Sequence, residues 1–162
     1  MLRMAVPLIT AVALLAGCAS PPLGGGLFGS GLSPPLEAQR TRLKQALQGT
    51  PVVVEATGDR RLRVEVPTRH AFEPGRATVK PALAAVLEQV ATGFKPYAAT
   101  TELQIGAPHD DKATTKLVRE RAASTRDHLV SRGVPASRIA RAGATTAPGL
   151  ELLLSDRPMD RR

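Results

Sequence analysis

The spacing of apolar residues changes several times between residues 52 and 154, and the order of these spacings limits the folds that the chain can adopt. Residues 52–56 and 62–66 are β-branched runs separated by the turn signal Gly58-Asp59, so together they predict a β-hairpin. In the second run every second residue is apolar, which is typical of a strand with one buried face. The hairpin therefore presents one face to a core and the other to solvent.

Three other segments carry apolar residues at helical spacing. The first, residues 36–48, precedes the hairpin and is followed by Gly49 as a stop signal. The second begins near Pro81 and ends at Pro96, and the third, residues 113–131, is stopped by Gly133. The apolar positions that define these helices are Leu36, Leu43 and Leu47, then Leu83, Val86, Leu87, Val90 and Phe94, then Val118, Ala122, Thr125 and Leu129.

Three further short apolar segments, residues 101–105, 138–144 and 150–154, are predicted strands. The predicted order is therefore helix, hairpin, helix, strand, helix, strand, strand. Mixing a hairpin with β-α-β crossovers over so short a chain favours an α+β fold, a two-layer sandwich with helices packed on one face of a mixed β-sheet.

The N-terminal segment has the pattern of an export signal. Residues 5–15 form an apolar run that follows Arg3, and this run is too short for a transmembrane helix, which needs roughly twenty apolar residues. Leu15-Ala16-Gly17 directly precedes Cys18, the only cysteine, and here the segment resembles the bacterial lipoprotein signal. The resemblance implies cleavage before Cys18 and acyl chains attached to it. The alternative is an ordinary secretory signal with an incidental cysteine.

Composition divides the chain into four predicted segments. Residues 1–17 are the signal peptide, and residues 18–35, which are rich in Gly, Pro and Ser, are a flexible tether. Residues 36–154 form the domain, with its N-terminal helix and hairpin, and residues 155–162 are a polar tail. The domain is thereby held at a distance from the membrane.

The chain is basic, with 22 Lys and Arg against 14 Asp and Glu and a formal net charge of +8. This charge favours anionic partners, but the export signal and the small number of aromatic residues argue against nucleic acid. Carboxylates of the cell wall, anionic lipid or lipopolysaccharide fit an exported protein better. The alternative is a basic surface that serves mainly solubility.

The third helix and the residues after it carry a family resemblance. Leu117, Arg121-Ala122, Leu129, Gly133-Val134 and Arg138-Ile139 fit the pattern L-x-x-x-R-A…L-x-x-x-G-V-x-x-x-R-I. Residues 62–154 thereby resemble the OmpA-like C-terminal domain, the peptidoglycan-associating module of many outer-membrane lipoproteins. The resemblance implies a two-layer OmpA-like sandwich, non-covalent binding to peptidoglycan and a link between membrane and wall.

The resemblance also implies the ligand-binding residues. Arg121 matches the family arginine, Asp110 is the nearest equivalent of the family aspartate, and Asp111 is the second candidate. In that family, the aspartate and the arginine hold the side chain of diaminopimelate, a component of the peptidoglycan peptide. Because the free end of this side chain is zwitterionic, the aspartate carboxylate binds its ammonium group and the arginine guanidinium binds its carboxylate in two parallel hydrogen bonds. The alternative is a solvated helix arginine that pairs with Glu120 or Asp127.

The chain also departs from the family pattern. The family writes G-H-T-D-x-x-G after the central strand, whereas this chain has "GAPHDD" and a shorter loop, and "TTAPGLELLL" replaces a longer loop ending in N-R-R. Thr114 stands at the position of a family Asn and Val118 at that of a Ser. These departures motivate a second hypothesis, a structural or protein-interaction module without peptidoglycan binding.

Catalysis has little support in the sequence. His109, Asp110 and Asp111 are adjacent and cannot all converge on one metal ion, and no distant cluster completes a site. No nucleophile motif or Gly-rich phosphate loop is present, so no enzyme activity, metal or cofactor is predicted. The expected partners are peptidoglycan, the membrane through the lipid anchor, and envelope proteins. Ala19 after Cys18 favours the outer membrane, with the domain in the periplasm.

Overall fold

The computed structural model describes residues 31–109 and 114–158, which form a five-stranded mixed sheet with helices packed on one face. The helices are α1 (Pro34–Ala46), α2 (Thr68–Ala71), α3 (Pro81–Phe94) and α4 (Thr115–Ser131), and short 3-10 turns follow at Lys95–Tyr97 and Ala136–Arg138. The strands are β1 (Val53–Ala56), β2 (Leu62–Pro67), β3 (Thr101–Pro108), β4 (Ile139–Thr145) and β5 (Gly149–Asp156). This architecture confirms the predicted fold class and the predicted order of the major elements.

The strand order in the sheet is β1-β2-β5-β3-β4. The last strand, β5, lies between β2 and β3 and pairs antiparallel with both, whereas β3 and β4 are parallel. Strands β2 and β3 therefore run in the same direction and end at the same edge of the sheet, where α3 and α4 begin. We call the edge at Pro67 and Pro108 the site end, and the opposite edge, at Leu62 and Thr101, the tether end.

The helix-covered face of the sheet holds the core. Along β2, Leu62, Val64 and Val66 are buried, while the residues between them lie on the other face. Burying each such apolar side chain stabilises the fold by about 1.5–3 kcal/mol before entropy is counted. The apolar positions predicted for the three long helices are all buried. The alternating apolar residues of the strands and the helically spaced apolar residues therefore pack in one core.

Local signals start and stop the helices. Pro81 occupies the first turn of α3, and the Thr114 hydroxyl accepts a hydrogen bond from the Leu117 amide at 3.2 Å to cap α4. After α4, Gly133 has a φ of +90°, and the Val134 amide donates to the Leu129 carbonyl at 3.1 Å. A glycine at this position accepts the left-handed backbone that reverses the chain.

Two elements differ from the prediction: β3 is longer, and α1 is shifted by two residues towards the N-terminus. Strand β3 continues to Pro108, because Gly106, Ala107 and Pro108 pair with β4 in a parallel ladder. Helix α1 begins at Pro34, inside the segment predicted as tether, and proline is compatible with the first turn of a helix. Pairing with β4 explains the first difference, and the compatibility of Pro34 with a first helical turn explains the second.

The uncovered face of the sheet carries a charged network centred on Arg63. The Arg63 guanidinium lies 2.6 Å from Glu55, 3.3 Å from Glu65 and 3.9 Å from Glu151. Burial alone would lower the pKa of Arg63, but the hydrogen bond to Glu55 and the charges of the three glutamates outweigh it, so the net shift is upward. Since Glu65 and Glu151 are direct cross-strand neighbours, Arg63 offsets a like-charge pair within the sheet.

Candidate functional site

The candidate site lies at the site end, between the start of α4 and the loop that joins α2 to α3. Arg121, in the second turn of α4, is fully buried with 0% exposure. Its guanidinium carbon lies 5.1 Å from the centre of the Phe72 ring, which is cation–π distance, and its Nε donates to the Arg76 carbonyl at 3.1 Å. These contacts hold the arginine head in one orientation.

The loop of residues 72–80 is shaped by a tight turn. The Arg76 amide donates to the Glu73 carbonyl at 3.0 Å, Pro74 occupies the first central position, and Gly75 has a φ of +70°. A left-handed residue after proline is the signature of a type II turn, and glycine adopts it without a steric penalty. The turn therefore places the Arg76 carbonyl where Arg121 needs an acceptor.

The ends of this loop are joined to each other. Phe72 and Val79 form an isolated antiparallel bridge, and the Lys80 amide donates to the Ala71 carbonyl at 3.0 Å. Phe72 itself is 2% exposed. The aromatic surface under Arg121 therefore belongs to the core.

The interpretation of Arg121 as a solvated surface arginine is wrong, because the side chain is buried. Its two suggested partners pair with other residues: Glu120 lies 3.8 Å from Lys116, and Asp127 lies 3.3 Å from Arg126. Burying a guanidinium requires compensating contacts, since a desolvated charge is costly. The contacts with Phe72 and the Arg76 carbonyl therefore offset part of the cost of burying Arg121.

The other predicted site residues are placed as follows. Asp110, Asp111 and Cys18 lie outside the described residues, so their roles stay predictions. Thr114 caps α4, and Val118, at the position of a family serine, is 1% exposed and belongs to the core. The hydroxyl of Thr114 is therefore engaged with the backbone, and the position of Val118 offers no polar group.

The sequence pattern predicts no element and no site in residues 72–80, so it misses Phe72 and the Arg76 carbonyl. The signal that could have found them is the Pro74-Gly75 pair, which indicates a type II turn of defined geometry. The contact with Arg121 itself is not encoded locally, since Arg76 and Arg121 are 45 residues apart.

The surroundings of the site are rich in cations. Lys80 Nζ lies 2.9 Å from the Glu73 carboxylate and donates to the Arg69 carbonyl at 3.1 Å. Arg69 Nε in turn donates to His70 Nε2 at 3.0 Å. The amino-terminal ends of α3 and α4 point to the same edge and add partial positive charge. This end of the domain therefore favours an anionic ligand.

Residues 31–109 and 114–158 contain no group of three or more His, Cys, Asp or Glu side chains that could hold a metal ion. In the same residues, no helix combines the length and the hydropathy needed to cross a membrane.

Comparison with known proteins identifies one curated relative, while no protein-family model matches the chain. The relative is "Probable lipoprotein YiaD" of Escherichia coli strain K12, which is 33% identical over 117 residues. The match covers 69% of this chain and 52% of the relative. The chain thus spans about half the length of the curated relative that it matches.

Solved structures with a similar fold include two proteins of low sequence identity. A MotB-like protein from Desulfovibrio vulgaris has a TM-score of 0.63 and 16% identity, with 76% of this chain and 92% of that chain covered. The cell wall anchor of the T6SS from Pseudomonas aeruginosa has a TM-score of 0.57 and 16% identity, with 72% and 98% covered. At these identities the likeness concerns the fold alone.

Proposed function

We propose that this chain, whose described domain has the OmpA-like fold, binds the peptide of diaminopimelate-type peptidoglycan non-covalently and links a membrane to the cell wall. The observation that carries the proposal is Arg121, an arginine built into the site end by Phe72 and the Arg76 carbonyl. Support also comes from the similar fold of a protein described as a cell wall anchor.

The proposed recognition uses two opposite charges. The Arg121 guanidinium binds the carboxylate of the diaminopimelate side chain, and Asp110, or Asp111 beside it, binds the ammonium group of the same side chain. Because Arg121 is fully buried, the ligand carboxylate reaches it only when neighbouring chain moves aside. We therefore expect binding to include a conformational step.

The positions of the two ends support the bridging part of the proposal. Ser33 Oγ donates to Asp156 Oδ1 at 2.6 Å, so the chain enters the domain beside the last residue of β5, at the tether end. Arg121 lies at the opposite edge of the sheet. A domain tethered at one end therefore presents its site away from the anchor.

We further propose that Cys18 carries the lipid anchor, that the membrane is the outer membrane and that the domain lies in the periplasm. Residues 1–17 would be the removed signal and residues 18–35 most of the tether. The similarity to a probable lipoprotein supports the anchor. Labelling with a radioactive or clickable fatty acid tests it, since a Cys18→Ala variant should lose the label.

The proposal is tested by co-sedimentation of the full chain, kept in detergent, with purified diaminopimelate-type peptidoglycan. We expect Arg121→Ala to weaken retention about tenfold or more, because a bidentate charge-assisted contact is lost. The matched control is Arg132→Ala, which removes the exposed arginine that follows the last residue of the same helix and pairs with Glu88 at 3.0 Å. That variant should be retained like the wild type.

A buried arginine also stabilises the fold, so the test needs a second arm that does not depend on a variant. A soluble peptide containing diaminopimelate should compete with the wall and release the wild-type chain. Arg121→Lys, which keeps the charge but not the planar fork, should fold and bind less well. Retention that survives both Arg121→Lys and the competing peptide contradicts the proposal.

The second candidate function is a structural or protein-interaction module without peptidoglycan binding. The complete burial of Arg121 favours it, since a purely structural arginine would look the same. In that case the wild-type chain stays in the supernatant, and crosslinking in cells should recover an envelope protein whose contact does not depend on Arg121.

A further inference from the structure

Arg76 differs from Lys80 and Arg69, the two cations described above beside the 72–80 loop. Its carbonyl accepts the Arg121 Nε hydrogen bond at 3.1 Å, but its own side chain is exposed. Within the described part of the chain, its guanidinium makes no hydrogen bond or ion pair, whereas Lys80 pairs with Glu73 at 2.9 Å and Arg69 donates to His70 at 3.0 Å. The guanidinium donors of Arg76 are thus not used by the described part of the chain.

The backbone of Arg76 is held in place beside Arg121. The turn hydrogen bond from the Arg76 amide to Glu73, at 3.0 Å, and the positive φ of Gly75 fix the turn, and the carbonyl contact fixes its distance from α4. An arginine side chain that starts at this point is long enough to bring its guanidinium alongside the Arg121 site. The turn and α4 therefore fix the point from which the Arg76 side chain extends.

A second guanidinium that reaches the Arg121 site adds positive charge there, and this charge favours an anionic ligand. A single carboxylate is already matched by the fork of one arginine. A second arginine beside the first therefore suits a ligand with a second carboxylate close to the first. The stem peptide of diaminopimelate-type peptidoglycan is such a ligand, because it carries more than one carboxylate.

We propose that Arg76 is a second carboxylate-binding residue of this site and that it selects peptides whose neighbouring carboxylate is free rather than amidated. This inference rests on the proposed function, because the ligand is the same peptide. It adds a specificity-determining residue from the 72–80 loop, on the opposite side of the site from α4. Amidation of that second carboxylate then lowers affinity without touching the contact with Arg121.

The test measures binding of the full chain in detergent by isothermal titration calorimetry. The probes are the soluble tripeptide L-Ala–D-Glu–diaminopimelate and two amidated forms of it. Each amidated form has an amide in place of one of the two carboxylates other than that of the diaminopimelate side chain. We expect Arg76→Ala to raise the Kd for the free tripeptide about five- to tenfold, which is typical of one exposed charge-assisted contact. For one of the amidated forms, the wild type and Arg76→Ala should have the same Kd.

The matched control is Arg157→Ala, which removes the same charge from an exposed arginine at the tether end. Its Kd should equal that of the wild type for all three peptides. Arg76→Lys should recover part of the affinity, because it keeps the charge but not the fork. Since Arg76 is exposed, these variants should unfold at the wild-type temperature.

The outcomes separate this inference from the proposed function. If Arg76→Ala binds the free tripeptide like the wild type while Arg121→Ala does not bind, this inference is wrong and the proposed function stands. If Arg76→Ala loses the same factor for all three peptides, its charge acts at a distance and the specific contact is wrong. If the wild type binds none of the three peptides, the inference falls together with the proposed function.

Discussion

Asp59 at the tether end and Arg121 and Arg76 at the site end differ in the contacts that their charged groups make. At the tether end, Asp59 in the β1–β2 turn is bound by its own neighbours, with Arg61 Nε donating to it at 2.7 Å and the Thr57 hydroxyl also donating. At the site end, Arg121 is buried against Phe72, and Arg76 is exposed without an ion pair among the described residues. Asp59 is thus neutralised within its own turn, whereas Arg76 has no ion pair in the described part of the chain.

The difference has a local and a long-range origin. Asp59, Thr57 and Arg61 are at most four residues apart, so a short turn completes its own network. Arg121 is oriented by residues that are distant in sequence and come from the 72–80 loop. We therefore expect changes to Arg121 or to the residues that orient it to affect both stability and binding, and changes at the tether end to affect stability alone.

The largest expected effect comes from Phe72→Leu. This change removes the aromatic surface under Arg121 and leaves a void, so the free energy of unfolding should fall by about 1–3 kcal/mol. Retention on peptidoglycan should weaken as well, because the guanidinium loses its orientation. Denaturant unfolding and co-sedimentation measure the two effects.

The control for this change lies at the other end of the same helix layer. Phe94, the last residue of α3, is 0% exposed and lies at the tether end. Phe94→Leu should cost a similar free energy of unfolding and leave retention unchanged. Equal losses of retention in both variants would mean that the two ends are not functionally distinct.

A smaller effect is expected from Gly75→Ala. The φ of +70° at Gly75 is strained for a residue with a side chain, so the free energy of unfolding should fall by about 1 kcal/mol. The Arg76 carbonyl should shift, and binding of the tripeptide should weaken. The matched control is Gly49→Ala, since Gly49 has a φ of +78° and, like Gly75, no atom within 4 Å of an added Cβ. A binding loss in the Gly49 variant would break the link to the 72–80 turn.

The smallest effect is expected from Asp59→Asn. Hydrogen bonds from the Arg61 side chain, and then from Thr57, lower the pKa of Asp59 from 3.8 to about 2. The folded pKa lies below the ordinary value, so this contribution to stability is present above about pH 4 and is lost as the pH falls through about 2. The wild type should lose stability relative to Asp59→Asn over that window, and denaturant midpoints at several pH values measure this. Binding at neutral pH should not change.

Much of the fold was predictable from local patterns. The order of helices and strands and the α+β class follow from the two periodicities, because a strand buries every second residue and a helix every third or fourth. The stop after α4 was predictable from Gly133, which adopts the positive φ expected there. The position of β5 between β2 and β3 was not predictable, since strand order depends on pairing between distant segments.

The candidate site was predictable only in part. Arg121 was identified by resemblance, but its position beside the buried stripe of Val118 and Ala122 left its burial undecided. The packing of the 72–80 loop on this flank of α4 decides it, and no residue on α4 reveals that loop. The same reason hid Phe72 and the Arg76 carbonyl from sequence reasoning.

The types and order of the elements, the basic charge and the identity of the candidate arginine follow from residue spacing, composition and motif. The neighbours of each strand, the burial of Arg121 and the exposure of Arg76 beside it follow from the packing of the folded chain. Those properties depend on contacts between residues far apart in the chain, and the free energy of such contacts exists only once the core has brought the segments together.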